Sequence, residues 1–166
     1  ARRILGDDAP ASRRTALARE QLASFADFAV EMAAAGRRGW RADDLLAGVE
    51  GPEHLARALE PAKGVVAVTL HIGNYELAAA ALAPRVPGGV AIIYDRDPSR
   101  RWERRRSRWR EAAGIGGIAL GGSPFFAVEA LALLKRGGAA LVAADQVERR
   151  TGETFPFLGA PAMFSL

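Results

Sequence analysis

The sequence predicts an α/β fold: a mixed, largely parallel sheet flanked by helices, with an N-terminal helical segment. Two observations carry this. From residue 64 onward, short β-rich apolar runs alternate with helix-length segments. Those runs lack in–out alternation, the pattern of strands covered on both faces. Before residue 64 the pattern is helical only. The expected organisation is a helical segment over 1–63 and an α/β core over 64–166, within one domain.

Each element follows from its own signals. Ser12 to Ala35 reads as an amphipathic helix, because Ala18, Leu22, Phe25, Ala29 and Met32 recur at helical spacing and Gly36 offers a stop. "GPEHLARALEPAKG" is a second helix, with Pro52 in its first turn and Pro61 ending it. "GVVAVTL" (64–70) is a strand buried on both faces, followed by a helix from Asn74 to Ala83 that Pro84 closes. "GVAIIY" (89–94) is the next strand, and Pro98 opens a long helix to Ala113, stopped by Gly114. "IGGIAL" (115–120) is a strand weakened by its glycines. "SPFFAVEALALLKRGG" is a helix with Ser123 as N-cap, Pro124 at its first position and Gly137 at the stop. "AALVAA" (139–144) is a buried strand ending in Asp145, and the tail "FPFLGAPAMFSL" is apolar without an assigned element.

Composition removes several classes of function. The chain has 166 residues and no cysteine, so disulfides and thiolate-held metals are excluded. Its two histidines, His54 and His71, are too few for a histidine-rich metal site. No apolar run reaches about 18 residues, the length that spans a bilayer as a helix. The N-terminus "ARRILGDDAP" carries neither an initiator Met nor the apolar stretch of a signal peptide, so the chain is expected to begin inside a longer protein.

In α/β sheets, ligands bind beyond the carboxyl ends of the strands. His71, Asp95 and Asp145 all fall at such ends and converge on one edge if the strands are parallel. His71 opens "HIGNYE", with Glu76 five residues on and Gly73 permitting a sharp turn between them. A neutral imidazole can take a proton from a hydroxyl, and a carboxylate can fix its tautomer and stabilise the imidazolium. The same spacing also fits a buried histidine bonded to a backbone carbonyl, with Glu76 favouring a helix N-terminus.

The charge is concentrated in "YDRDPSRRWERRRSRWR" (94–110), eight arginines against Asp95, Asp97 and Glu103. Such a segment implies an anionic partner or a solvated face. Trp102 and Trp109, seven apart, share one face of the helix, and tryptophan beside Arg101, Arg104, Arg105 and Arg108 suits a membrane head-group layer. Taken alone, the segment 96–110 equally describes a non-catalytic domain binding anionic lipid or nucleic acid. No G-x-S-x-G is present for a hydrolase nucleophile, and "GIGG" and "GGSP" match no phosphate loop.

Taken in order, "HIGNYE", "RWREAAG" with Arg110 and Gly114, "LLKRGG", "VAADQ" and "TFPFLGAPA" resemble the bacterial lipid A biosynthesis acyltransferases, the lauroyl and myristoyl transferases of the lysophospholipid acyltransferase superfamily. The phosphatidylinositol mannoside acyltransferases belong to the same group. Tyr75 stands where the family's H-x-G-N-W-E has Trp. The resemblance implies O-acyl transfer from an acyl carrier protein or coenzyme A thioester to a membrane glycolipid hydroxyl. It makes His71 the general base and Glu76 its orienting carboxylate. It makes Arg110 a donor to the oxyanion or to substrate phosphate, and Asp145, Asn74 and Gly73 supporting site residues. No metal and no cofactor beyond the thioester donor are implied, and nucleic acid is not an expected partner. The resemblance also implies the cytoplasmic face of the inner membrane, with peripheral attachment or an anchor outside this chain, and a core truncated at its C-terminus.

Overall fold

The computed structural model describes residues 2–35, 41–60, 63–121, 124–145 and 152–165. In chain order the elements are α1 (Arg2–Leu5), α2 (Ala11–Ala35), α3 (Pro52–Leu59), β1 (Val65–Thr69), α4 (Tyr75–Leu82), β2 (Val90–Asp95), α5 (Arg100–Ala112), β3 (Ile115–Leu120), α6 (Phe126–Lys135), β4 (Ala139–Ala143), β5 (Gly152–Phe157) and β6 (Ala160–Ser165). They fall into two units: Ala34–Ala143, and Ala1–Ala33 with Ala144–Leu166.

The first unit is built on a four-stranded sheet in the order β1-β4-β2-β3, every pair parallel. The register aligns Val65 with Ala139, Ala139 with Val90, and Val90 with Ile115. All carboxyl ends therefore lie on one edge, as the alternating pattern requires. Helix α4 packs on β2, α5 on β3, and α6 on β3 and β4. Ala91, Ile118, Leu133 and Ala140 form a core cluster, with Ile93, Phe126, Ala130 and Leu134 against it.

β1 departs from expectation. It is an edge strand with alternating burial, and Val68 is 68% exposed. The apolar run was expected to be covered on both faces, but the helices that pack on β2, β3 and β4 leave the Val66–Val68 face open.

Helix boundaries follow local caps. Asn74 Oδ1 accepts from Leu77 N at 3.1 Å and starts α4. Ser99 Oγ accepts from Trp102 N, so α5 begins at Arg100, two residues past Pro98. α6 begins at Phe126, which leaves Pro124 upstream of the helix and not at its first position. The expected cap Ser123 and the expected stops Gly36 and Pro61 lie outside the described residues.

In the second unit the apolar tail forms an antiparallel hairpin of β5 and β6, joined by Leu158 and Gly159. Both have left-handed φ, 51° and 73°. Phe157 and Phe164 meet edge to face at 5.5 Å between ring centroids. In α2, Met32 is buried, whereas Leu22 and Phe25 of the same stripe are exposed. No helix among the described residues is long and apolar enough to cross a membrane.

Candidate active site

The site grows from the carboxyl end of β1. Past Thr69 the chain turns tightly: Ile72 N donates to Leu70 O at 2.8 Å, across His71. His71 is exposed there, not a packed core histidine. Gly73 has φ of +62°, a conformation that costs a side-chain-bearing residue free energy, and this turn delivers Asn74 as the cap of α4. Helix α4 then carries Tyr75 and Glu76 in its first turn. The His71 and Tyr75 rings meet edge to face, 5.3 Å between centroids.

Glu76 has no exposed surface. A buried carboxylate needs a countercharge, and two arginines of α5 supply it. Arg110 Nε donates to Oε2 at 2.8 Å and its Nη2 to Oε1 at 2.5 Å, a bidentate pair. Arg106 Nε and Nη2 donate to Oε1 at 3.1 and 2.6 Å, and the same Nη2 reaches Tyr75 Oη at 3.0 Å.

Tyr94, near the end of β2, forms the floor. Its ring lies 4.0 Å from the Arg110 guanidinium carbon, a cation–π contact. Its hydroxyl donates to Glu103 Oε1 at 2.6 Å, and Glu103 Oε2 accepts from Asp97 N at 3.2 Å. Burial, the hydrogen bond to Glu103 and the charge of Glu103 raise the Tyr94 pKa against the opposing arginines Arg110 and Arg96. Burial alone would lower the Arg106 pKa, but its hydrogen bond to Glu76 and the Glu76 charge outweigh this, and the net shift is upward. Gly117 completes the floor. A Cβ there would stand 2.9 Å from Tyr94 Cε1 and 3.0 Å from Arg110 Nη1.

The structure thus brings Glu76 and Arg110 together, with His71 one ring contact away through Tyr75. Arg110 was expected to meet an oxyanion or a phosphate. It is 2% exposed and commits Nε and Nη2 to Glu76, so its described contacts are structural support for the carboxylate. The described bond of the Asn74 side chain is the helix cap. Asp95 ends β2 and is exposed. Asp145 follows β4 by two residues and belongs to the other unit, and Gln146 lies outside the described residues.

On α5, Arg100, Arg101, Arg104, Arg105 and Arg108 are exposed, whereas Trp102, Glu103 and Arg106 are half-buried. Trp109 corrects the expectation of two tryptophans at a head-group layer: it is 5% exposed and faces inward beside Arg110. Sequence reasoning missed Arg106, Tyr94 and Glu103. The signal was helical spacing, since 103, 106 and 110 fall on one face of α5.

The family model described as bacterial lipid A biosynthesis acyltransferase matches residues 2–165, and the chain belongs to that family. No curated protein matches it.

Proposed function

We propose that this protein moves a fatty acyl chain from an acyl thioester to a hydroxyl of a membrane glycolipid, a lipid A precursor or a related acceptor. The observation that carries the reading is the turn-and-helix "HIGNYE" at the carboxyl edge of a parallel sheet. It presents an exposed His71 just ahead of a helix whose first turn carries a fully buried, arginine-held Glu76, in a chain of the acyltransferase family.

In this mechanism His71 takes the proton of the acceptor hydroxyl as its oxygen attacks the thioester carbonyl. The C–O bond forms, the tetrahedral oxyanion collapses, and the C–S bond breaks. The departing thiolate takes the proton back from the imidazolium. Glu76 Oε1 takes three arginine N–H contacts, whereas Oε2 takes one, which leaves Oε2 lone-pair capacity toward an imidazole N–H. The carboxylate stabilises the imidazolium, and Arg110 holds the carboxylate from behind. The donor is an acyl carrier protein or coenzyme A thioester. The exposed arginines of α5 supply charge complementarity to an anionic membrane at the cytoplasmic face, where the acceptor resides.

The test is acyl transfer by the enzyme at its native length, from a labelled acyl thioester into lipid A precursor and into mannosylated phosphoinositide. His71→Ala removes the base, and general-base catalysis is typically worth about 10² to 10⁴ in rate, so kcat falls by at least that order. A folded His71→Ala enzyme working at near wild-type rate would falsify the mechanism.

A further inference from the structure

We propose that Arg106 is a positioning residue that sets the pose of the His71 imidazole through the Tyr75 hydroxyl. This rests on the acyl-transfer reading above and extends it to a side chain outside the "HIGNYE" segment.

His71 sits at the apex of a tight turn and is exposed. The ring contact described for it is the edge-to-face one with Tyr75. An edge-to-face contact transmits orientation only if the partner ring is itself held. Tyr75 is held at its far end: Arg106 Nη2 donates to Tyr75 Oη at 3.0 Å while also donating to Glu76 at 2.6 Å. One nitrogen therefore bridges the carboxylate and the phenol, and Arg106 Nε adds a second tie to Glu76 at 3.1 Å. The guanidinium is rigid and planar, so fixing it on Glu76 also fixes where its hydrogens meet Tyr75. The path runs from buried Glu76 to Arg106, to Tyr75, to His71. It gives Glu76 a second influence on the imidazole, through the pose of Tyr75, besides its charge. A lysine at 106 would be a point charge without this fork.

The test uses the enzyme at its native length with Tyr75→Phe, Arg106→Gln and the double variant. Tyr75→Phe keeps the ring and deletes only the hydroxyl. Its kcat is expected to fall about tenfold, the scale of one hydrogen bond to a charged group, with KM within about twofold. Arg106→Gln is expected to lose more, because it also loosens Glu76. In the double variant the Tyr75 change adds little, since the bond from Arg106 to its hydroxyl is already gone. Tyr75→Phe at wild-type kcat, or losses that simply multiply, overturns the proposal.

A second measurement is independent of turnover. The His71 ring protons carry a ring-current shift from Tyr75 in the NMR spectrum, assigned against the His54→Gln variant. That shift is expected to collapse in Tyr75→Phe, whose ring is released, and in Arg106→Gln. Unchanged His71 signals in a folded Tyr75→Phe protein overturn the positioning role even if the acyl-transfer reading stands. Absent transfer with collapsed shifts condemns the function and keeps the positioning.

Discussion

Tyr94 shows how one side chain serves two charges of opposite sign. Its ring face meets the Arg110 guanidinium and its hydroxyl donates to the Glu103 carboxylate. Ionising the phenol would reverse the second contact and place two anions together. Its pKa is accordingly raised in the folded state by burial first and Glu103 second. The sign of the linkage follows. An acid with a raised folded pKa contributes stability that is fully present below its unfolded value, about 10 for tyrosine, and lost as pH rises through the folded value. The thermal stability of the wild type is therefore expected to fall above about pH 10 more steeply than that of Tyr94→Phe. Parallel melting curves from pH 8 to 11 for the two proteins would remove this role. The Phe variant keeps the cation–π floor, so its loss of stability at neutral pH is limited to the hydroxyl's bond with Glu103.

At the scale of the element, α5 is two surfaces on one helix. Positions 103, 106 and 110 turn inward to Tyr94, Tyr75 and Glu76, and Arg100, Arg101, Arg104, Arg105 and Arg108 turn outward. The sequence shows the charge but treats the eight arginines as one population. Which of them would be neutralised depended on where Glu76 comes to lie, thirty and thirty-four residues back in the chain, and local periodicity carries no such distance. The same limit explains β1, whose apolar run does not reveal that the face of Val66 and Val68 stays exposed. It explains the missed hairpin too. Two-residue turns with left-handed φ favour Asn-Gly, and Leu158-Gly159 carries only half of that signal. The strand ends, the turn at Gly73 and the placing of Glu76 in the first turn of α4 were legible, because each depends on a few adjacent residues.

The outward face makes a separable prediction. Each basic residue near an anionic bilayer is worth about 1 kcal/mol before salt screening. Changing Arg101, Arg104, Arg105 and Arg108 together to Gln should abolish binding to phosphatidylglycerol vesicles. kcat on detergent-dispersed acceptor should stay near wild type, because none of the four touches Glu76 or Tyr75. Binding that survives the four changes, or that is equal on neutral vesicles and insensitive to salt, removes the membrane role. Preferential capture by competing duplex DNA would instead favour a nucleic-acid surface.

At the scale of the whole sheet, its two ends do different work, and two glycines distinguish them. At the amino end, Gly88 precedes β2 and lies against the Arg136–Gly138 backbone that precedes β4. A Cβ at 88 would meet the carbonyl carbon of Gly137 and the amide of Gly138, and backbone on both sides leaves nothing flexible to yield. The contact joins the two central strands, where Ala139 N donates to Gly89 O at 2.9 Å. Gly88→Ala must spread β2 from β4, an overpacking change that typically costs about 1–3 kcal/mol. Nearer the carboxyl end, a Cβ at Gly117 meets the edge of the Tyr94 ring and the Arg110 guanidinium, side chains and not backbone. Gly117→Ala meets side chains and no backbone, so the Tyr94 ring and the Arg110 guanidinium must both give by a few tenths of an ångström, which tilts Glu76 and leaves the sheet intact. Gly88→Ala is therefore expected to lower Tm clearly while kcat per folded molecule stays at the wild-type value. Gly117→Ala is expected to keep Tm nearly unchanged and lose kcat, by less than the roughly 10²-fold that a 1 Å misplacement can cost. Measuring Tm and kcat on the same preparations decides it. The opposite pairing of losses would mean that Arg110 and Tyr94 hold the fold together and leave the chemistry at His71 untouched.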